Sequence, residues 1–281
     1  MDRKQKILRH INKNGHGIEI GPSHNPIAPK KEGYDVQTLD HLSREDLLAK
    51  YQDHQIDIGN IEDVDFIWNG EEFSELTGKN KYYDWIIASH VIEHTPDFIG
   101  FLNSCDTILK DNGVISLAVP DKRYCFDYYR PITGISTIID RHFNYVKIHT
   151  PGTVAEYFLN VISKGGKIAW DSNTAGEFKF VHSLDDALQG IKAVLNDKTY
   201  LDVHAWCFVP HSFRLIIHDL FCLGLIHCQE IAFYPTEGSE FFITLGRNGE
   251  GRRKSRLEIL SIIDTEIQSG ILQPPNEAIT Y

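Results

Sequence analysis

The sequence predicts an α/β fold: a largely parallel sheet with helices on both faces. Three observations carry this expectation. Short apolar runs alternate with helical stripes through the first 120 residues, the order that builds strand-helix-strand units. Tyr83 to Ser89 and Val114 to Val119 are apolar almost throughout, as strands buried on both faces are. An acid, Asp40, follows the turn at Gly21 by about twenty residues, the separation that sets an acid beside a bound ribose.

The elements follow in order. Residues 1–16 read as a short helix with Ile7, Leu8 and Ile11 on one side. Gly17-Ile18-Glu19-Ile20-Gly21-Pro22-Ser23-His24-Asn25-Pro26 is a buried strand that stops in a tight loop, where a ligand and the backbone of Gly21 could meet closely. There Glu19 could accept hydrogen bonds from a cation or a hydroxyl. Tyr34 to Asp40 alternates as a second strand. Ser43 with Asp46 opens a helix, Val64 to Trp68 is a third strand, and Asn69-Gly70 stops it. The strand ending at His90 runs into Val91-Ile92-Glu93-His94, and Phe98 to Leu109 carries a helical stripe that Asp111-Asn112-Gly113 ends.

From 121 to 203 the rhythm breaks, and this segment reads as an insertion over the strand ends. Alternation returns at Trp206 to Pro210, followed by a helix from Ser212 to Leu223. Ile231 to Tyr234 and Phe241 to Leu245 then read as an antiparallel pair, and Leu257, Leu260, Ile263 and Ile267 as the stripe of an amphipathic tail helix.

Composition excludes several classes. The 281 residues are 42% hydrophobic, enough for a substantial core, and the net charge of -11 argues against a nucleic-acid partner. No run approaches the ~20 apolar residues of a membrane-spanning helix, and no signal peptide is recognisable, so a cytoplasmic protein is expected. Five cysteines without a Cys-x-x-Cys pair suggest apolar fillers and no metal.

With these pieces placed, the chain resembles the class I S-adenosylmethionine-dependent methyltransferases. The resemblance rests on Ile18 to Gly21, Asp40, the run Asp84 to His94, Leu109 to Ile115, and Phe208 to Phe213. It covers residues 15–120 and 204–247. Pro22, Ser23 and His24 stand where the family has further glycines. The resemblance implies a Rossmann-like seven-stranded sheet whose last strand is antiparallel, with S-adenosylmethionine as cofactor. Residues 1–120 would form the cofactor-binding half, 121–203 an insertion covering the acceptor, 204–247 the late strands, and 248–281 a helical tail. It puts Glu19 and Gly21 near the methionine part, Pro22 and Ser23 in the cofactor loop, Asp40 on the ribose, Asn69 and Gly70 near adenine, and Ser89 and His90 along the cleft.

In methyl transfer the sulfonium supplies the activation and the protein aligns the groups; for an alcohol acceptor a base helps. His90 is a candidate base or a positioning residue, and Asp121 a candidate base or a helix cap. Arg123, Tyr124 and His149 are candidate acceptor contacts, with Tyr128 and Tyr129 as stacking partners or packing. The run Pro120 to Asp127 is similar to methyltransferases of bacterial surface-polysaccharide synthesis, which suggests transfer to a hydroxyl of a sugar or glycan precursor. Two other functions compete: a non-catalytic, cofactor-binding partner of a glycosyltransferase, and a zinc hydrolase. The second rests on His90-Val91-Ile92-Glu93-His94, a His-x-x-Glu-His pattern with Glu156 as a conceivable third ligand. The tail helix is a candidate contact for a homo-oligomer or a glycosyltransferase.

Overall fold

Trp85 and Ile87 point to one side of a strand and Ile86 and Ala88 to the other, and all four are buried, in two different clusters of the core. That is why the run is apolar at every position: both faces of the sheet are covered. In the computed structural model, which describes residues 1–52 and 57–270, this strand lies at the centre of a seven-stranded sheet.

In chain order the elements are α1 (Arg3–Ile7), β1 (Gly17–Ile20), β2 (Val36–Asp40), α2 (Arg44–Tyr51), β3 (Phe66–Ile67), α3 (Phe73–Thr77), β4 (Tyr83–Ser89), α4 (Phe98–Ile108) and β5 (Leu109–Pro120). There follow α5 (Ile135–Phe143), α6 (Pro151–Asn160), the short antiparallel pair β6 (Ile162–Lys164) and β7 (Phe178–Phe180), and α7 (Leu184–Asp197). The chain closes with α8 (Pro210–Cys222), β8 (Gln229–Glu237), β9 (Glu240–Gly246) and α9 (Arg256–Gly270). Spatial order in the large sheet is β3-β2-β1-β4-β5-β9-β8, with β9 antiparallel to both of its neighbours. This is the expected α/β sheet with its last strand reversed.

Several local expectations need correction. The opening helix is five residues long. Asp2 caps it, and the chain then turns so that the Asn12 carbonyl accepts from Trp85 Nε1 at 3.0 Å. Trp85 in turn lies across Gly17, where a Cβ would fall 2.1 Å from its ring. Asp111-Asn112-Gly113 does not end α4; it already lies within β5, which starts at Leu109. Trp206 to Pro210 forms no strand, only one bridge from Phe208 to Asp121.

On α9 the anchoring residue is Ile259, fully buried, whereas Leu257 is 79% exposed, so the predicted stripe is out of phase. The helix packs on α8 of its own chain, with Glu266 accepting from the His211 amide at 3.1 Å and pairing with His211 Nδ1 at 2.6 Å. The last part of the predicted tail, 271–281, lies outside the described residues. No described helix is long and apolar enough to cross a membrane.

Candidate active site

Neighbouring strands β1 and β4 run parallel, yet the chain leaves β1 toward β2 and leaves β4 toward β5. The loops after the two strands therefore diverge, and the crevice between them is where ligands collect in such sheets. Gly21, with φ +64, turns the chain out of β1. A Cβ there would stand 2.8 Å from Val91 Cγ2, so the close approach that requires glycine is to the loop after β4. Ser23 also adopts positive φ, donates its amide to Asp40 Oδ2 at 3.2 Å, and has a buried Oγ without a hydrogen-bond partner. Asp40 is 2% exposed and also accepts from the His41 amide at 2.8 Å. Pro22 sits partly exposed between Gly21 and Ser23.

Glu19 has a different task from the one expected. Its two oxygens accept from the amides of Ile27 and Ala28 at 2.7 and 3.0 Å, so it holds the loop from beneath. Burial outweighs these two donors and pushes its pKa up to about 7. Asn69 and Gly70 form an open, exposed turn after β3, where the Asn69 amide donates to Glu71 Oε2 at 2.8 Å.

At the end of β4, His90 has φ +56, and its Nε2 lies 2.8 Å from Glu240 Oε2. Arg3, at the other end of the chain, grips the same carboxylate at 2.6 and 3.0 Å and donates to Ser89 Oγ at 2.7 Å. Glu93 Oε1 stands 3.5 Å from His90 Nδ1. Burial opposes charge on His90, but Glu240 and Glu93 outweigh it and hold the pKa above its ordinary value. The ring Nε2 is already paired with Glu240 and not turned to an acceptor, which favours the positioning alternative.

Asp121 takes the capping alternative. It is fully buried and is bound by Arg123 at 2.5 Å and by Thr236 Oγ1 at 2.6 Å, and it caps the turn Lys122–Tyr124. Arg123 and Tyr124 line a cavity of about 290 Å³ at this edge, with Asp171, Ser172, Thr236 and Glu266 among its other walls. His149 does not reach it: the ring is 1% exposed and packs beside Tyr200. Tyr128 and Tyr129 pack with Phe178, which is the packing alternative.

The His-x-x-Glu-His pattern needs both histidines on one helix. Here His90 follows a strand and Glu93 and His94 lie on a three-residue 3-10 turn, while Glu156 pairs with Arg130 at 3.1 Å, so the hydrolase arrangement is not formed. Sequence reading missed Arg3, Glu240 and His204, none of which lies in a motif, and it gave no role to Asp127, which ends the run from Pro120; Arg3 meets Glu240 across 237 residues of chain.

No curated protein sequence matches the chain at a significant level. Among solved structures, the trans-methyltransferase CalH complexed with SAH is similar at 12% identity and TM-score 0.41, over 85% of this chain and 53% of that one. The chain thus spans about half of CalH. The DhpI-SAH complex gives 14% and 0.41 over 86% and 81%, and a SAM-dependent methyltransferase from Methanosarcina mazei 12% and 0.43 over 87% and 97%. A family described as a methyltransferase domain matches residues 1–161, more than half of the 281. The chain therefore belongs to the methyltransferase domain family.

Proposed function

We propose that the protein transfers a methyl group from S-adenosylmethionine to a hydroxyl of a sugar or glycan precursor. The observation that carries the cofactor half is Ser23: a buried hydroxyl with no partner, two residues beyond Gly21 and tied through its amide to Asp40. A buried polar atom left unpaired is costly, and a ligand hydroxyl or carboxylate at this edge would satisfy it. When bound, the sulfonium supplies an activated methyl group.

The chain supplies alignment. Gly21, Pro22 and Ser23 would cradle the amino-acid end, Asp40 the ribose hydroxyls, and Asn69 and Gly70 the open side for adenine. Ser89 and His90, fixed by Arg3 and Glu240, would form the wall facing the methyl group. Asp121 would act through Arg123, holding the guanidinium at the cavity wall. The polar walls of that cavity, with Tyr124 as a stacking face, favour a polyhydroxylated acceptor. In this reading residues 1–120 hold the cofactor, 121–203 cover the acceptor, and 204–247 complete the sheet.

Calorimetry with S-adenosylmethionine and its demethylated product tests the first half. Stoichiometric binding is expected, and Asp40→Ala should weaken it by a factor of about ten or more, the cost of roughly one charge-assisted hydrogen bond. Absence of binding to either compound would sink the reading. Turnover of methyl-labelled cofactor on a panel of free and nucleotide-linked sugars tests the second half; label appearing only on carbon acceptors would overturn the hydroxyl assignment.

A further inference from the structure

Beside the cofactor edge lies a second constellation. Glu93 and His94 stand on the 3-10 turn after β4, and His204 reaches them from the segment ahead of α8. One donor atom from each lies within 4.8 Å of those of the other two. Glu93 is fully buried, and neither of its oxygens has a hydrogen-bond partner. A bare carboxylate in the interior is costly unless a cation faces it.

The histidines are prepared in a particular way. Asp127 Oδ2 holds His204 Nδ1 at 2.5 Å, and Asp127 is itself fixed by Arg130 at 2.8 Å. Asp202 Oδ1 stands 2.9 Å from His94 Nδ1, an ion-pair contact without hydrogen-bond geometry. A carboxylate on Nδ1 fixes the tautomer whose Nε2 carries the lone pair, and His204 Nε2 is the atom 3.9 Å from Glu93 Oε1. Two imidazoles, one of them held by a carboxylate, and one further carboxylate suit a borderline divalent ion, zinc above all, with a fourth position open. Bonds of about 2.0 Å would bring the donors to about 3.3 Å apart, so the cluster must close by up to about 1.5 Å.

We propose that Glu93, His94 and His204 form a zinc-class metal site that fastens residues 202–206 to the end of β4. The backbone already joins the two here: the Ala205 and Trp206 amides donate to the Glu93 carbonyl at 2.7 and 3.3 Å. The site excludes His90 and so differs from the metal centre that the His-x-x-Glu-His pattern suggests. It does not depend on the cofactor assignment.

The test uses the full chain, stripped with chelator and then titrated with Zn²⁺ by calorimetry, with metal counted after desalting. One zinc per chain is expected, with a rise in melting temperature. His204→Ala should weaken binding by about 100-fold, and His90→Ala should leave the stoichiometry unchanged. Absence of stoichiometric zinc overturns the site, as does loss of zinc in His90→Ala with retention in His204→Ala. Should His204→Ala fail to fold, Co²⁺ added to the unmutated apo-protein decides: an intense visible band of a low-coordinate site supports the assignment, and no spectral change overturns it.

Discussion

Glu19 and Glu93 belong to the carboxyl ends of neighbouring strands, and both are buried, at 3% and 0% exposure, yet the protein treats them in opposite ways. Glu19 spends both oxygens on amides of the loop that follows it. Its donors are local and neutral, so burial prevails and its pKa rises to about 7. Glu93 has no such donors and is faced by His90 and His204, the latter brought from the far side of the segment between β5 and α8. A loop can satisfy a carboxylate with its own backbone; a carboxylate that joins distant segments must be met by cationic or metal-binding side chains. The first arrangement shapes a loop, and the second ties two parts of the fold together.

The largest expected effect falls on the support beneath the second arrangement. Asp127→Ala leaves the fully buried Arg130 and His204 without their shared carboxylate, and the loss should be about 3–5 kcal/mol in denaturant unfolding. A loss below about 1 kcal/mol would show that this tie is not structural. For Asp127 burial raises the pKa, but His204 and Arg130 outweigh it and hold it depressed. Its contribution is therefore complete above the unfolded carboxylate pKa and is lost as pH falls below about 4.

Glu19 gives the opposite sign. Its folded pKa of about 7 exceeds the ordinary 4.5, so between those values the folded chain holds a proton that the unfolded chain has lost. Stability should fall as pH rises from 4.5 to 7, by about 3 kcal/mol from this group. Glu19→Gln should flatten that part of the stability profile; an unchanged slope would mean that Glu19 is already ionised at low pH.

Glu240→Gln removes the stronger of the two carboxylate contacts of His90. The His90 pKa, followed by NMR titration, should move down toward its ordinary value, and no movement would break the assigned pairing. Arg3→Ala should have the smallest effect, about 0.5–1 kcal/mol in thermal unfolding, because its pair with Glu240 is partly solvated.

Much of the sheet was legible because its central strands are buried on both faces. Burial leaves an uninterrupted apolar run at Trp85 to Ala88, and one at Val114 to Val119 broken only by the buried Ser116. That Asp40 ends the second strand was legible from the alternation of Tyr34 to Asp40, although the chain between β1 and β2 forms only a three-residue 3-10 turn at Lys30–Glu32. The phase of α9 was not, since Leu257 and Ile259 are equally apolar and only the docking on α8 exposes one and buries the other. Nor was the work of Asp121: its position after β5 could be read, but its saturation by Arg123 and Thr236 depends on the β8–β9 hairpin.

By itself, the sequence determined the strand pattern, the turn at Gly21 and the placing of Asp40, because each rests on contacts within a few tens of residues. Only the tertiary structure decided what the polar side chains do. Arg3 reaches Glu240, Asp127 reaches His204, and Glu93 loses its solvent once distant segments close over it. The charge state and role of a buried group depend on what surrounds it in space, and that environment is assembled from parts of the chain that no local pattern connects.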